Sequence, residues 1–201
     1  MFYEVSAGHG LPHDPYKALV APRPIGWIST ISARGEVNLS PYSYFNAVSD
    51  RPHIVCFSSD GRKDALTFAE ETGEFVCNLA TFDLRESMNA TSAPLPRGTS
   101  EMIHAGLTAA PSRLVKPPRV AESPVALECR YLKTVSLDPV EGEGRYFLVL
   151  GQVIGIHIDD RFIVDGLVDT AAMRPIARAG YHDYFVATPE TRFSIRRPPG
   201  G

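Results

Sequence analysis

The segment Tyr146–Ile158, YFLVLGQVIGIHI, reads as one long strand with two glycines, Gly151 and Gly155, inside it. Interior glycine weakens a flat strand and is found where a strand bulges or bends sharply at the corner of a barrel. The other β runs agree with a curved sheet. Trp27–Ser32 leads through the turn Arg34-Gly35-Glu36 to Val37–Leu39, which Pro41 then interrupts. His53–Ser58 is almost continuously apolar, as expected of a strand buried on both faces, and Glu74–Leu79 is another strand. Val125–Val135 alternates, with Val125, Leu127, Cys129 and Tyr131 on one face and Glu128 and Arg130 on the other. Asp138–Arg145, rich in Gly and Glu, turns the chain into Tyr146–Ile158.

Helical signals are short. Asp64 caps a helix that runs through Thr72 and stops at Gly73. Asp83 with Glu86 forms a capping-box-like start for Leu84–Ala90, and Thr99–Ala105 ends at Gly106. Ala93–Arg97 and Ala110–Pro124 carry proline and basic residues and read as surface connections, and Arg196–Gly201 reads as a frayed tail. Six or more strands with helices between them favour a closed or half-closed antiparallel barrel over a doubly wound sheet. With 201 residues and no internal repeat, one domain over 1–201 is expected, with its core at about 15–195.

Charge and composition narrow the partners. A formal net charge of -3 gives no electrostatic case for nucleic acid or an acidic membrane surface. No apolar run approaches the length of a membrane span. Met1–Tyr16 lacks the basic-then-apolar pattern of a signal peptide, so the chain reads as cytoplasmic. Cys56, Cys77 and Cys129 sit in apolar runs and read as small buried hydrophobes. His9, His13, His53, His104, His157 and His182 are scattered without the spacing of a zinc site, so no metal is expected.

The chemistry is concentrated in residues 21–78, which hold no obvious acid, base or nucleophile. Ser58-Ser59-Asp60-Gly61-Arg62-Lys63-Asp64 lies between a buried strand and a helix start, where unpaired backbone N–H groups favour an anion. Ser58, Ser59, Arg62 and Lys63 add hydroxyls and cations that suit one phosphate, Gly61 lets the backbone approach, and Asp64 is the helix cap. The bland alternative is a solvated turn with an ordinary cap. Ser29-Thr30 and the stretch Asn38–Asn46, including Ser43, Tyr44, Phe45 and Asn46, offer hydroxyls, free backbone groups and aromatic faces, Pro41 keeping the loop out of a regular strand. Trp27, Tyr44 and Phe45 are candidate stacking faces that also read as core residues. Together these suit a flat hydrogen-bonding ring and one phosphate, a cofactor that carries the hard chemistry itself, with flavin mononucleotide (FMN) as the leading candidate.

PRPIGWIST, Arg34-Gly35-Glu36, NLSPYSYFN, Ser58-Ser59, Arg62-Lys63-Asp64 and EFVCN occur in the order seen in the flavin reductase-like, FMN-binding split-barrel family. LVLGQVIGIHI, Asp165-Gly166 and Arg178-Ala179-Gly180-Tyr181 are also similar to it, so the resemblance covers roughly residues 15–195. It implies a six-stranded antiparallel split barrel, usually a homodimer with FMN at the subunit interface. Carried onto this chain, Ser29, Thr30 and the backbone around Ser43, Tyr44 and Phe45 address the ribityl chain and ring, and Ser58, Ser59, Arg62 and Lys63 take the phosphate. His182 and Tyr184 correspond to C-terminal residues that approach the flavin. Ala179-Gly180 departs from the two glycines the family often has there. The family includes flavoredoxin and the reductase components of two-component monooxygenases, which implies NADH or NADPH as transient donor and free flavin, oxygen or a partner protein as acceptor. No Gly-x-Gly-x-x-Gly follows a strand, so a nicotinamide would bind in the flavin site itself. An electron carrier without nicotinamide activity is a second reading. A related barrel holding pyridoxal phosphate, or haem on His53, His157 or His182, is a third.

Overall fold

The computed structural model describes residues 1–96, 98–142 and 144–198. Its strands are β1 (Arg23–Pro24), β2 (Gly26–Ile31), β3 (Val37–Tyr42), β4 (Phe45–Asp50), β5 (His53–Asp60), β6 (Glu74–Leu79), β7 (Ala109–Ala110), β8 (Arg119–Val120), β9 (Val125–Leu137), β10 (Tyr146–Ile158), β11 (Ile163–Val164), β12 (Leu167–Val168), β13 (Ile176–Arg178) and β14 (Tyr184–Val186). The α-helices are α1 (Tyr16–Leu19), α2 (Asp64–Thr72), α3 (Arg85–Ala90) and α4 (Glu101–His104). Seven strands form one antiparallel sheet in the order β3-β2-β6-β9-β10-β5-β4.

That order dictates a barrel. β3 and β4 lie at opposite edges of the sheet, yet only Ser43 and Tyr44 separate them in the chain. Six gaps at about 4.8 Å would hold the edges of a flat sheet roughly 29 Å apart. Three peptide units from Tyr42 to Phe45 reach at most about 11 Å. The sheet must therefore curl until its edges meet at this link, where the Tyr44 carbonyl accepts from the Ser58 amide at 2.8 Å. No ladder joins β3 to β4 among the described residues, so the barrel is split along that seam.

The expected class is present, with seven strands in the main sheet rather than six. The additional strand is β4, whose first two residues, Phe45 and Asn46, fall in the stretch expected to be an irregular loop. Pro41 lies within β3, opposite Trp27, and does not end the strand. β3 is an edge strand, where a missing N–H can face outward without breaking a ladder. The β9–β10 ladder shifts register between Leu150 and Gly151 and again between Val153 and Gly155. At Gly151 the reason is packing: a Cβ there would lie 2.2 Å from Phe75 Cζ.

The barrel interior holds Ile28, Phe57, Phe75 and Val149, and α2 plugs it with Ala65, Leu66 and Ala69. Gly73, left-handed at φ 73°, ends α2 as expected, but its N-cap is Lys63 and Asp64 is the first helical residue. Similarly, α3 starts after Leu84, while Asp83 pairs with Arg174 at 3.0 Å instead of capping, and α4 is shorter than the expected 99–105. A second core of Trp27, Leu39, Met88, Met102, Val120 and Ile176 packs the segments after β6 against the outside of the sheet.

The 110–124 connection is therefore a strap with a buried side, since Val115 and Val120 are both buried. The strap covers Glu128, which alternation places on the same face as Arg130 and which is fully buried. Glu128 accepts from the amides of Arg113 (2.7 Å) and Leu114 (2.6 Å) and from His157 Nε2 (2.5 Å). The three cysteines are free and buried. Three expectations fall partly outside the described residues: the turn 138–145 at Glu143, the connection 93–97 at Arg97, and the tail 196–201 at its last three positions.

Candidate cofactor-binding site

The link that closes the barrel also opens onto a cleft. The two-residue β1 pairs with β13, placing Arg23 opposite Arg178 and drawing the N- and C-terminal segments together beside Ser43. Arg23 is buried, an unusual place for a cation without a carboxylate. It is satisfied by backbone: Nη1 donates to the carbonyls of Lys17 and Val20, and Nη2 to Ala179 at 2.9 Å. Its Nε has no partner. Its guanidinium lies 5.7 Å from the centre of the Tyr44 ring, which meets Tyr146 edge-on at 6.3 Å.

The cleft has a volume of about 770 Å3, and Lys17, Arg23, Ser43, Arg178, His182 and Tyr184 are among its walls. Such a volume is typical of small-molecule and cofactor sites, which span about 300–1,000 Å3. Three permanent cations, Lys17, Arg23 and Arg178, face one carboxylate, Asp14, leaving an excess of two positive charges. An anionic ligand fits that balance.

Tyr44, next to Ser43 in the chain, is tied to the end of β5 through the Ser58 amide, which donates to its carbonyl at 2.8 Å. The strand period of two separates the serine pair. Ser59 points inward, fully buried, donates to the Gly61 carbonyl at 2.7 Å and bonds with the Tyr42 hydroxyl. Burial pushes the Tyr42 phenol up to about 12, the Ser59 bond opposes that, and the Asp64 and Glu101 charges add to it. Ser58 is half-buried on the other face, bonded through its amide to Tyr44. Lys63, exposed at the start of α2, makes no ion pair among the described residues. Arg62 is already engaged: it pairs with Glu70 and lies 5.6 Å over Phe147. Arg145 similarly holds Asp60, whose carboxyl its hydrogen bond keeps below the ordinary range.

The structure places Ser43, His182 and Tyr184 on the cleft wall, bonds the Ser58 amide to the Tyr44 carbonyl, and leaves Lys63 exposed at the start of α2. It removes other candidate side chains from that surface. Trp27 is core, its indole N–H donating to Thr91 Oγ1 at 2.9 Å, so it offers no stacking face. Ser29 is enclosed and donates to the Pro118 carbonyl at 2.5 Å, and Thr30 is fully buried with no partner for its hydroxyl. Phe45 packs on Gly26 and lines a separate apolar groove with Pro22 and Pro175. Asn46 is exposed and accepts from the Ala47 amide. Sequence reasoning missed Lys17, Arg23 and Arg178 as cleft cations. The one local signal was an arginine set between two prolines in PRPIGW, where nothing acidic stands near it.

An anionic cofactor fits these residues: a cleft wall carrying the buried Arg23, the half-buried Arg178 and the exposed Lys17, an aromatic rim, and an exposed lysine at the start of α2. Residues 19–171 match the family described as flavin reductase like domain. An uncharacterised protein from Halalkalibacterium halodurans is 35% identical over 184 residues, spanning 89% of this chain and 87% of that protein. The crystal structure of nitrilotriacetate monooxygenase component B from Bacillus cereus superposes with a TM-score of 0.87 at 28% identity, covering 97% of this chain and 98% of that one. Flavoredoxin of Desulfovibrio vulgaris shares the fold, with a TM-score of 0.78 at 16% identity over 90% and 93% of the two chains. No helix among the described residues is long and apolar enough to cross a membrane. The chain belongs to the flavin reductase-like family, and its barrel is that family's split barrel.

Proposed function

We propose that the chain is an FMN-dependent oxidoreductase that takes electrons from NADH or NADPH and passes them to free flavin or to a partner protein. The observation that carries this reading is the excess positive charge of the cleft beside Ser43, with Lys63, exposed at the start of α2, as a further cation. Lys63 and Ser58 would hold the phosphate, Ser43 and Tyr44 would line the ring through backbone and aromatic edge, and His182 and Tyr184 would close over it. FMN supplies the redox chemistry when bound, and the protein supplies position and a tuned field. Arg23 keeps Tyr44 in place while adding charge to the wall. The likeness to a monooxygenase component B supports a partner that consumes reduced flavin.

The working unit in this reading is a homodimer, with the second copy covering the cleft. The apolar β11–β12 hairpin, with Ile163, Val164, Leu167 and Val168 exposed, supports that arrangement. The test is the visible spectrum of the purified protein after incubation with FMN, followed anaerobically by NADH and then NADPH. A flavin spectrum that bleaches with either donor establishes the reductase and names the donor. A bound flavin that neither donor bleaches makes the protein an electron carrier. No bound flavin would overturn the reading.

A further inference from the structure

A smaller cleft of about 380 Å3 adjoins the cationic one, sharing Arg178, His182 and Tyr184 with it. Its other side is largely aromatic and aliphatic: Phe82, Ile176, Phe185 and Val186. Phe82 is firmly set. The guanidinium carbons of Arg85 and Arg174 lie 4.2 and 4.4 Å from its ring centre. Arg85, also in the cleft wall, is already occupied, donating to the Phe82 carbonyl at 2.8 Å and pairing with Glu86 at 3.3 Å.

Arg178 differs. Its guanidinium stacks on Tyr184 at 4.5 Å and gives one bond to the Tyr181 carbonyl, and it has no carboxylate partner among the described residues. A guanidinium carries five N–H donors in a planar fork, so most remain for a ligand, in the geometry a carboxylate takes bidentately. Arg85 and Arg178 against Glu86 leave the cleft one net positive charge.

We infer that this cleft binds a small aromatic monocarboxylate, its ring against Ile176, Tyr184 and Phe185 and its carboxylate on Arg178. The volume is near the low end of the range of ligand sites, about 300–1,000 Å3, and suits one ring rather than a dinucleotide. The inference extends the flavin reading by placing a second ligand against the wall the two clefts share. Its binding does not require the cofactor, so the two readings fail separately.

The test is calorimetric titration of benzoate at fixed ionic strength into the protein as purified and into the protein saturated with FMN. Benzamide serves as the uncharged isostere. Benzoate is expected to bind once per chain, with benzamide about tenfold weaker or worse. Arg178→Gln lowers benzoate affinity by about tenfold or more, Arg178→Lys by less, and Arg85→Gln, whose guanidinium is already paired, by no more than about threefold. Benzoate affinity stays within about threefold on FMN saturation. Equal binding of benzoate and benzamide, no binding of either, or indifference to Arg178→Gln would overturn the inference. Competition between FMN and benzoate would overturn it too, by making the small cleft part of the flavin site. FMN binding is read separately from its fluorescence, so its failure with benzoate binding intact removes only the flavin reading.

Discussion

Replacing Glu128 with glutamine is the sharpest test of how the 110–124 strap is held. The carboxylate is fully enclosed and takes three bonds: Arg113 N at 2.7 Å, Leu114 N at 2.6 Å and His157 Nε2 at 2.5 Å. A bond to a charged group contributes about 1.5–3 kcal/mol, so three at the low end give about 4.5 kcal/mol. Glutamine keeps one carbonyl for one amide, a neutral bond of about 1 kcal/mol, and turns an NH2 toward the other amide N–H. A net loss of about 3.5 kcal/mol follows, which for a chain of this length lowers Tm by about 7–14 °C. Burial by itself would raise the Glu128 pKa, but the Arg113 amide, His157 and the Leu114 amide outweigh it and hold the group below its usual value. A depressed carboxylate stabilises fully above its unfolded pKa of 4.5 and loses that contribution as pH falls through the lower folded value. Urea melts of both proteins between neutral pH and about pH 3 should therefore converge in acid. A loss under about 1 kcal/mol at neutral pH, or a difference that stays constant into acid, would refute the reasoning.

Lys63→Ala should weaken FMN retention, measured by fluorescence titration, while turnover of the loaded fraction changes little; unchanged affinity would remove Lys63 from the phosphate site. Gly151→Ala places a Cβ 2.2 Å from Phe75 Cζ and 3.2 Å from the Arg130 carbonyl, so it should cost about 2–3 kcal/mol in a denaturant melt. A neutral result there would mean the bulge is not set by the Phe75 ring. Tyr42, raised from 10.0 to about 12, contributes stability that is full below pH 10 and drains as pH rises through 12. In an ultraviolet titration its phenolate should appear late or only on alkaline unfolding, and Tyr42→Phe should remove that late step.

Much of the sheet was legible because apolar periodicity and glycine placement are local. Gly151 and Gly155 marked both register shifts, and Gly73 marked the end of α2. β4 was not legible, because FNAVSD carries little apolar signal and becomes a strand only by pairing with β5. Glu128 shows a different limit. Alternation identified the face it shares with Arg130, but a strap that arrives from residues 110–118 decides that Glu128 is covered and Arg130 is not. The serine pair at 58–59 read as two phosphate ligands until strand geometry sent one hydroxyl inward.

The candidate site divides along the same line. The half proposed for the phosphate lies within one strand–turn–helix passage, so a short run of sequence can announce it. Its cationic half depends on contacts such as that between Arg23 and the Ala179 carbonyl, 156 residues away, made where β1 meets β13. Neither segment carries a motif for that role, since a buried arginine bonded to carbonyls has no acidic neighbour in sequence to mark it. What joins the halves is Ser43–Tyr44. Two residues between opposite edges of a seven-stranded sheet force the barrel to close there and set Tyr44 between Arg23 and the Ser58 end of β5. This two-residue link thus holds the cationic cleft and the end of β5 side by side, and lengthening it would separate the two before it disturbed either core.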